Sequence, residues 1–250
     1  MTNLLLLTIL SILPTQVESP HVIKTLSSDE IIKIAENIYS KSISKIQNYS
    51  GMLVKREYVD GKDTGYQYIE FKFRENPKSI YMKFLKPSSL KDREILYVEG
   101  KDVVVKRGGK FNPRMTVTLA ANSPLLTNEN RYTLNDIGVK VLSERIIQKL
   151  KVEAVLPGAT IKYFDSAKLD GRPVTLYRLS LSPETKEEAN YTAEIAVDKE
   201  LNIPIYYKAV NTDRKVIEEY LFRNIKLNVD LSDKDFEENN EQYGFRKYEE

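Results

Sequence analysis

Gln67-Tyr68-Ile69-Glu70-Phe71-Lys72-Phe73-Arg74 is the stretch that decides the architecture. Gln67, Ile69, Phe71 and Phe73 alternate with Tyr68, Glu70, Lys72 and Arg74, a period of two that only an extended strand converts into two faces. One face is apolar and the other charged, which predicts a strand half buried in an antiparallel sheet. Working outward, Asn76-Pro77 marks a turn, and Ile80, Met82 and Phe84 then alternate with Ser79, Tyr81 and Lys83 in a second strand. Upstream, Tyr49 opens a strand in which Met52, Val54 and Arg56 share a face, and Asp60-Gly61 with Gly65 forms a hairpin loop. Similar short strands are predicted over 94–99, 102–106, 115–119, 160–167, 175–182, 191–197, 204–209 and 215–227.

Two segments break this period. Ser27-Ser28-Asp29-Glu30 is an N-cap cluster, and Ile31, Ile34, Ala35, Ile38 and Ile46 follow at helical spacing, so a helix is predicted over 28–46. Leu134, Ile137, Gly138, Val141, Leu142 and Ile146 fall at three- and four-residue steps and predict a second helix over 134–150, preceded by a loop or short helix from Ser123 to Thr133. No repeat or linker divides the chain. The pattern predicts an α+β fold: one strongly curved antiparallel sheet, a half-open barrel with its helices over the concave face, spanning 20–250. Two β-domains joined near 123–151 is the alternative, and the tail from Asp230 is polar enough to be less ordered.

Composition excludes much chemistry. The 250 residues hold no cysteine and a single histidine, His21. Thiol catalysis, thiolate metal sites and histidine-based triads are therefore closed. No catalytic residue, metal ligand or cofactor is predicted. Acidic pairs such as Glu94 with Glu99, or Asp165 with Asp170, read as solvated strand ends, because nothing in their spacing aims them at one point. Gly108-Gly109-Lys110 follows a strand without opening a helix, so it is a turn and not a phosphate loop. The formal net charge of +2 offers no global field for nucleic acid. Locally, nine basic residues face four acidic ones between Lys83 and Arg114, and eight acids face three bases from Asp230 onward. That stretch reads as mixed solvated surface, or as a basic rim meeting lipid headgroups or an acidic partner.

The apolar run Leu4–Leu13 suits the core of a signal peptide and is too short to span a bilayer; a buried N-terminal element is the competing reading. Export to the periplasm or cell envelope is expected, with residues 1–19 set aside from the fold. The strand faces carry the functional content. Met52, Val54, Ile69, Phe71, Phe73, Ile80, Met82 and Phe84 form an apolar wall that either fills a closed core or lines a groove open to an acyl chain. At roughly 0.8 kcal/mol per buried methylene, a chain of about sixteen carbons gains on the order of 12 kcal/mol there.

Several blocks resemble one family. Tyr49-Ser50-Gly51-Met52-Leu53-Val54-Lys55-Arg56-Glu57, Lys72-Phe73-Arg74-Glu75-Asn76-Pro77, Arg93-Glu94-Ile95-Leu96-Tyr97-Val98-Glu99-Gly100-Lys101, and Ile225 to Val229 with Tyr243-Gly244-Phe245 are similar to the bacterial exported domain of unknown function numbered 1571. The element order also resembles the LolA/LolB and RseB superfamily. That resemblance implies a half-open barrel with a helical lid, and a non-enzymatic binder of lipid or lipoprotein acyl chains with peripheral or transient membrane contact. A protein-binding envelope module without lipid transport is the alternative it implies. It also implies a lid latch, a role for which Arg56 is the candidate.

Overall fold

The computed structural model describes residues 17–18, 23–109, 115–128, 130–181 and 191–245. After the short strands β1 (Val17–Glu18) and β2 (Lys24–Leu26) comes helix α1 (Ser28–Lys41). The Ser27 side chain accepts from the Glu30 amide while the Glu30 carboxylate accepts from the Ser27 amide, which sets the start of α1. A 3₁₀ turn at Ile43–Lys45 completes the predicted 28–46 segment. Strands β3 (Asn48–Val59), β4 (Lys62–Asp63), β5 (Gln67–Glu75), β6 (Lys78–Lys86), β7 (Glu94–Val98), β8 (Val103–Lys106) and β9 (Thr116–Leu119) follow. Then come the single-turn helix α2 (Pro124–Thr127), a 3₁₀ turn at Leu134–Asp136, and helix α3 (Val139–Glu153). The chain closes with β10 (Thr160–Leu169), β11 (Arg172–Ser180), β12 (Tyr191–Asp198), β13 (Pro204–Asn211), β14 (Val216–Leu227) and a 3₁₀ turn at Asp233–Phe236.

All fourteen described strands belong to one antiparallel sheet, in the order β1-β10-β11-β12-β13-β14-β3-β5-β6-β7-β8-β9, with β2 on β10 and β4 on β3. The end strands β1 and β9 do not pair with each other, so the barrel stays open, as expected. Strand β3 sits centrally between β14 and β5 and joins the two halves. Val17 and Glu18 pair with Leu169 and Lys168, so the sheet reaches two residues of the segment set aside as a leader. The other residues of that leader lie outside the described residues.

The predicted second helix is shorter at its start than its periodicity suggested, because Gly138 intervenes. Its φ of +115° lies where side-chain-bearing residues are strained. A Cβ there would sit 2.4 Å from the Tyr49 hydroxyl. That hydroxyl accepts from the Val139 amide at 3.0 Å and so caps α3 from across the fold. Tyr49 is fully buried and stacks on Phe73 with ring centroids 5.2 Å apart. Helices α1 and α3 lie against β11–β13, where Ile34, Ile38, Ile146, Tyr177 and Ile195 leave a seam of only about 40 Å³. This half of the barrel is packed.

The C-terminal segment lies against the outer face of β5–β8. Phe236 and Phe245 are buried there with Tyr81 and Leu96, and Tyr243 stacks on Tyr81 at 3.7 Å. Lys72 donates to Asp235 at 2.7 Å, and Arg74 to Asp233 at 2.6 Å. Glu94, on this outer face, accepts from Lys106, Tyr81 and the Gly244 amide. The acidic tail therefore meets cationic side chains of its own sheet.

Candidate functional site

The other half of the barrel is hollow. Beneath the segment 123–137 lies a cavity of about 580 Å³, bounded by β3, β5–β9, β14 and the start of α3. Cross-strand register builds its wall. Leu53 pairs with Ile69, Ile69 with Phe84, and Phe222 with Leu53, so their side chains share one face. Met82, Ile95, Val105 and Val117 continue the same row toward β9. Leu126, Leu134 and Ile137 roof it. Residues paired directly across an antiparallel ladder always point to the same side, which is why seven strands make one surface.

Of the apolar wall expected from sequence, Ile69, Met82 and Phe84 line this cavity. Phe71, Phe73 and Ile80 share the same sheet face but lie further along it, where Tyr49 and Phe222 pack edge-on or stacked against the two phenylalanines. They fill core and do not line this cavity. Met52 and Val54 project from the opposite face: Val54 pairs with Tyr68 and Leu221, and Met52 with Glu70 and Arg223. The inward residues of β3 are their neighbours Leu53, Lys55 and Glu57.

Arg56 is corrected with them. It shares the outward face, holds Asp63 of its own hairpin through Nε at 3.0 Å, and its guanidinium covers the Tyr66 ring at 5.3 Å. Asp63's carboxyl lies below its ordinary value because of this bond. Among the described residues its polar and ring contacts, with Asp63 and Tyr66, lie within its own hairpin.

The groups that do tie that segment down were not singled out from sequence. Lys55 Nζ donates to Asn130 Oδ1 at 2.6 Å and to Glu57 Oε2 at 3.0 Å. Arg131 donates to the Tyr58 carbonyl at 3.1 Å and lies 3.7 Å from Glu218. Tyr132 donates to Glu218 at 2.7 Å, and Tyr220 to Glu57 at 2.5 Å. Burial, with the Glu218 charge beside it, pushes the Tyr132 phenol up to about 12, so it remains a donor at neutral pH. Arg145 covers the Tyr132 ring at 3.5 Å and donates to the Asp136 carbonyl. Asn135 takes a bond from Tyr97 at 3.0 Å and its carbonyl one from Lys78. The roof is thus pinned from Asn130 to Asp136. The α2 turn, where Leu125 is 73% exposed, lies outside the pinned stretch.

The buried carboxylates Glu57 and Glu218 are cross-strand partners, a convergence of acids that sequence spacing did not reveal. Both stand within hydrogen-bond reach of the single Tyr220 hydroxyl, at 2.5 and 3.3 Å. Lys55 and Arg131 face them. The arrangement is a charge-balanced clasp in which both acids are held by hydrogen bonds and cations of the roof and of β3. The acidic pairs considered from sequence do not converge. Glu94 lies on the outer face while Glu99 accepts from the Lys78 amide, and Asp165 and Asp170 bond Lys199 and Arg223.

No curated protein matches the sequence. Solved structures with a similar course include MucB, with a TM-score of 0.49 and 11% identity over 83% of this chain and 62% of that one. The Mycobacterium tuberculosis lipoprotein LppX has a TM-score of 0.49 and 12% identity, covering 82% of this chain and 98% of that one. A LolA superfamily protein from Nitrosomonas europaea has a TM-score of 0.33 and 11% identity, covering 85% and 98%. The chain spans about 62% of the length of MucB. The sequence pattern of the family described as Protein of unknown function (DUF1571) matches residues 46–245, and the chain belongs to that family.

Proposed function

We propose that this protein is a non-enzymatic binder and carrier of acylated ligands in the bacterial cell envelope, holding an acyl chain in the cavity between β5–β9 and the 123–137 segment. The hollow half of the barrel carries this reading. Its volume of about 580 Å³ matches a ligand site, and its strand wall is a continuous apolar row accompanied by a small number of polar groups. The packed half, with a seam of about 40 Å³, shows that this chain has side chains enough to fill a barrel where filling is required. The apolar run Leu4–Leu13 supports an envelope location.

Uptake of a fluorescent fatty-acyl probe tests the proposal, together with native mass spectrometry of gently purified protein. Wild type should bind the probe saturably. Val117→Trp, which fills the cavity from the β9 side, should lower affinity at least about tenfold, since displacing two or three methylenes forfeits about 2 kcal/mol. Apo protein that takes up no probe, but captures one stoichiometric envelope protein, would transfer the proposal to the protein-binding alternative.

A further inference from the structure

Gln67 opens the inward face of β5, ahead of Ile69, Phe71 and Phe73. Ladder pairing sets it beside Lys55, which stands in turn beside Tyr220, and all three line the cavity. Gln67 is only 5% exposed. Its polar neighbours are all engaged: Lys55 donates to Glu57 and Asn130, and Tyr220 donates to Glu57. The Gln67 carboxamide has no hydrogen-bond partner among the described residues. A buried amide without a partner is unfavourable for the fold, and an apolar side chain would simply continue the row begun by Ile69.

The surroundings say what kind of group meets this amide. Lys55 Nζ lies 3.0 Å from Glu57 Oε2, so the ammonium on the adjoining strand is already neutralised. An ionised group at Gln67 would bring an uncompensated charge beside that buried pair. A carboxamide is itself uncharged and offers two N–H donors to a neutral acceptor. The next inward position of β5 is Ile69, which pairs with Phe84, and Met82 pairs with Ile95 beyond it. An acceptor atom held at Gln67 therefore adjoins an apolar path across the sheet.

We propose that Gln67 is the specificity-determining residue of the cavity, its amide donating to the carbonyl oxygen of an acyl ester whose chain runs over Ile69, Phe84 and Ile95. An ester places one neutral acceptor at the head of an apolar chain, the same order in which the wall places Gln67 and its neighbours. The assignment rests on the acyl-binding reading and narrows it to uncharged, esterified chains over free fatty acids.

Displacement of a fluorescent acyl probe compares three ligands of equal chain length: monopalmitoylglycerol, the hexadecyl ether of glycerol, which lacks only the carbonyl oxygen, and palmitate at alkaline pH. Wild type should bind the ester at least about threefold more tightly than the ether, the scale of one hydrogen bond, and more tightly than palmitate. Q67M keeps the length of the side chain without its amide. It should abolish the difference between ester and ether and leave affinity for the ether unchanged. Its thermal midpoint should stay level or rise, since no hydrogen bond within the protein is lost. Q67L, as a second variant, should behave in the same way. Equal wild-type binding of ester and ether, or a difference that survives both substitutions, overturns the carbonyl subsite and leaves the acyl cavity standing. Palmitate binding more tightly than the ester overturns the uncharged specificity. A lowered midpoint in both variants would assign Gln67 to the fold and overturn its role toward the ligand. Failure to bind any of the three overturns the cavity reading itself.

Discussion

Single residues with several partners set the local geometry. Asp198 closes the β12–β13 turn by accepting from the Glu200 amide at 2.9 Å, the Leu201 amide at 2.8 Å and Arg172 Nε at 2.6 Å. Burial alone would raise its carboxyl; the Arg172 bond and the two amides outweigh this and hold it below the ordinary 3.8. A carboxyl lowered in the folded state contributes stability that is present above its ordinary value and lost as pH falls through the folded one. Asp198→Ala is expected to cost about 2–3 kcal/mol at neutral pH. In pH-resolved urea unfolding, the gap to wild type should shrink below the ordinary 3.8. A gap independent of pH would show that the charge of Asp198 contributes nothing.

The informative element is the roof. Its pinned part, from Asn130 to Asp136, rests on polar bonds to β3, β7 and β14, while α2 is free of that clasp. Such a segment opens by exchanging a few hydrogen bonds for water, at a net loss of about 1 kcal/mol each. Combining Arg131→Ala with Tyr132→Phe removes the Tyr58, Glu218 and hydroxyl contacts but keeps the ring under Arg145. Stopped-flow release of a bound acyl probe should accelerate about tenfold, and the thermal midpoint should fall because the buried Glu218 loses two partners. Unchanged release would mean that the clasp is not the gate.

For the whole molecule, one sheet serves two halves that differ in filling, with the C-terminal segment bracing the hollow one from outside. Phe236, Phe245 and Tyr243 bury their rings against β6 and β7 under charge pairs to Lys72 and Arg74. At roughly 1.5–3 kcal/mol per buried aromatic, truncation after Val229 should cost on the order of 5 kcal/mol. It should also leave Tyr81 and Leu96 exposed, raising dye binding to apolar surface. An unchanged denaturation midpoint would refute the bracing role.

The strand periods, both helices, the turns and the family blocks were legible from sequence because they rest on local spacing. The alternation over Gln67–Arg74 needs no neighbour to be read, and the capping box of α1 lies within four residues. Which face of β3 looks inward was not legible. Leu53 and Val54 are both buried, and Lys55 and Arg56 are both basic, so the two parities look alike until pairing with Ile69 decides. Nor could spacing separate Phe71 and Phe73, which fill core, from Ile69 and Met82, which face empty volume. That depends on where Tyr49 and the start of α3 arrive. The sequence by itself determined the elements and the kind of sheet, since hydrogen-bonding period and side-chain polarity are properties of neighbouring residues. Only the tertiary structure decided where the sheet is left hollow, because an unfilled space is defined by the side chains that distant segments bring to it or withhold.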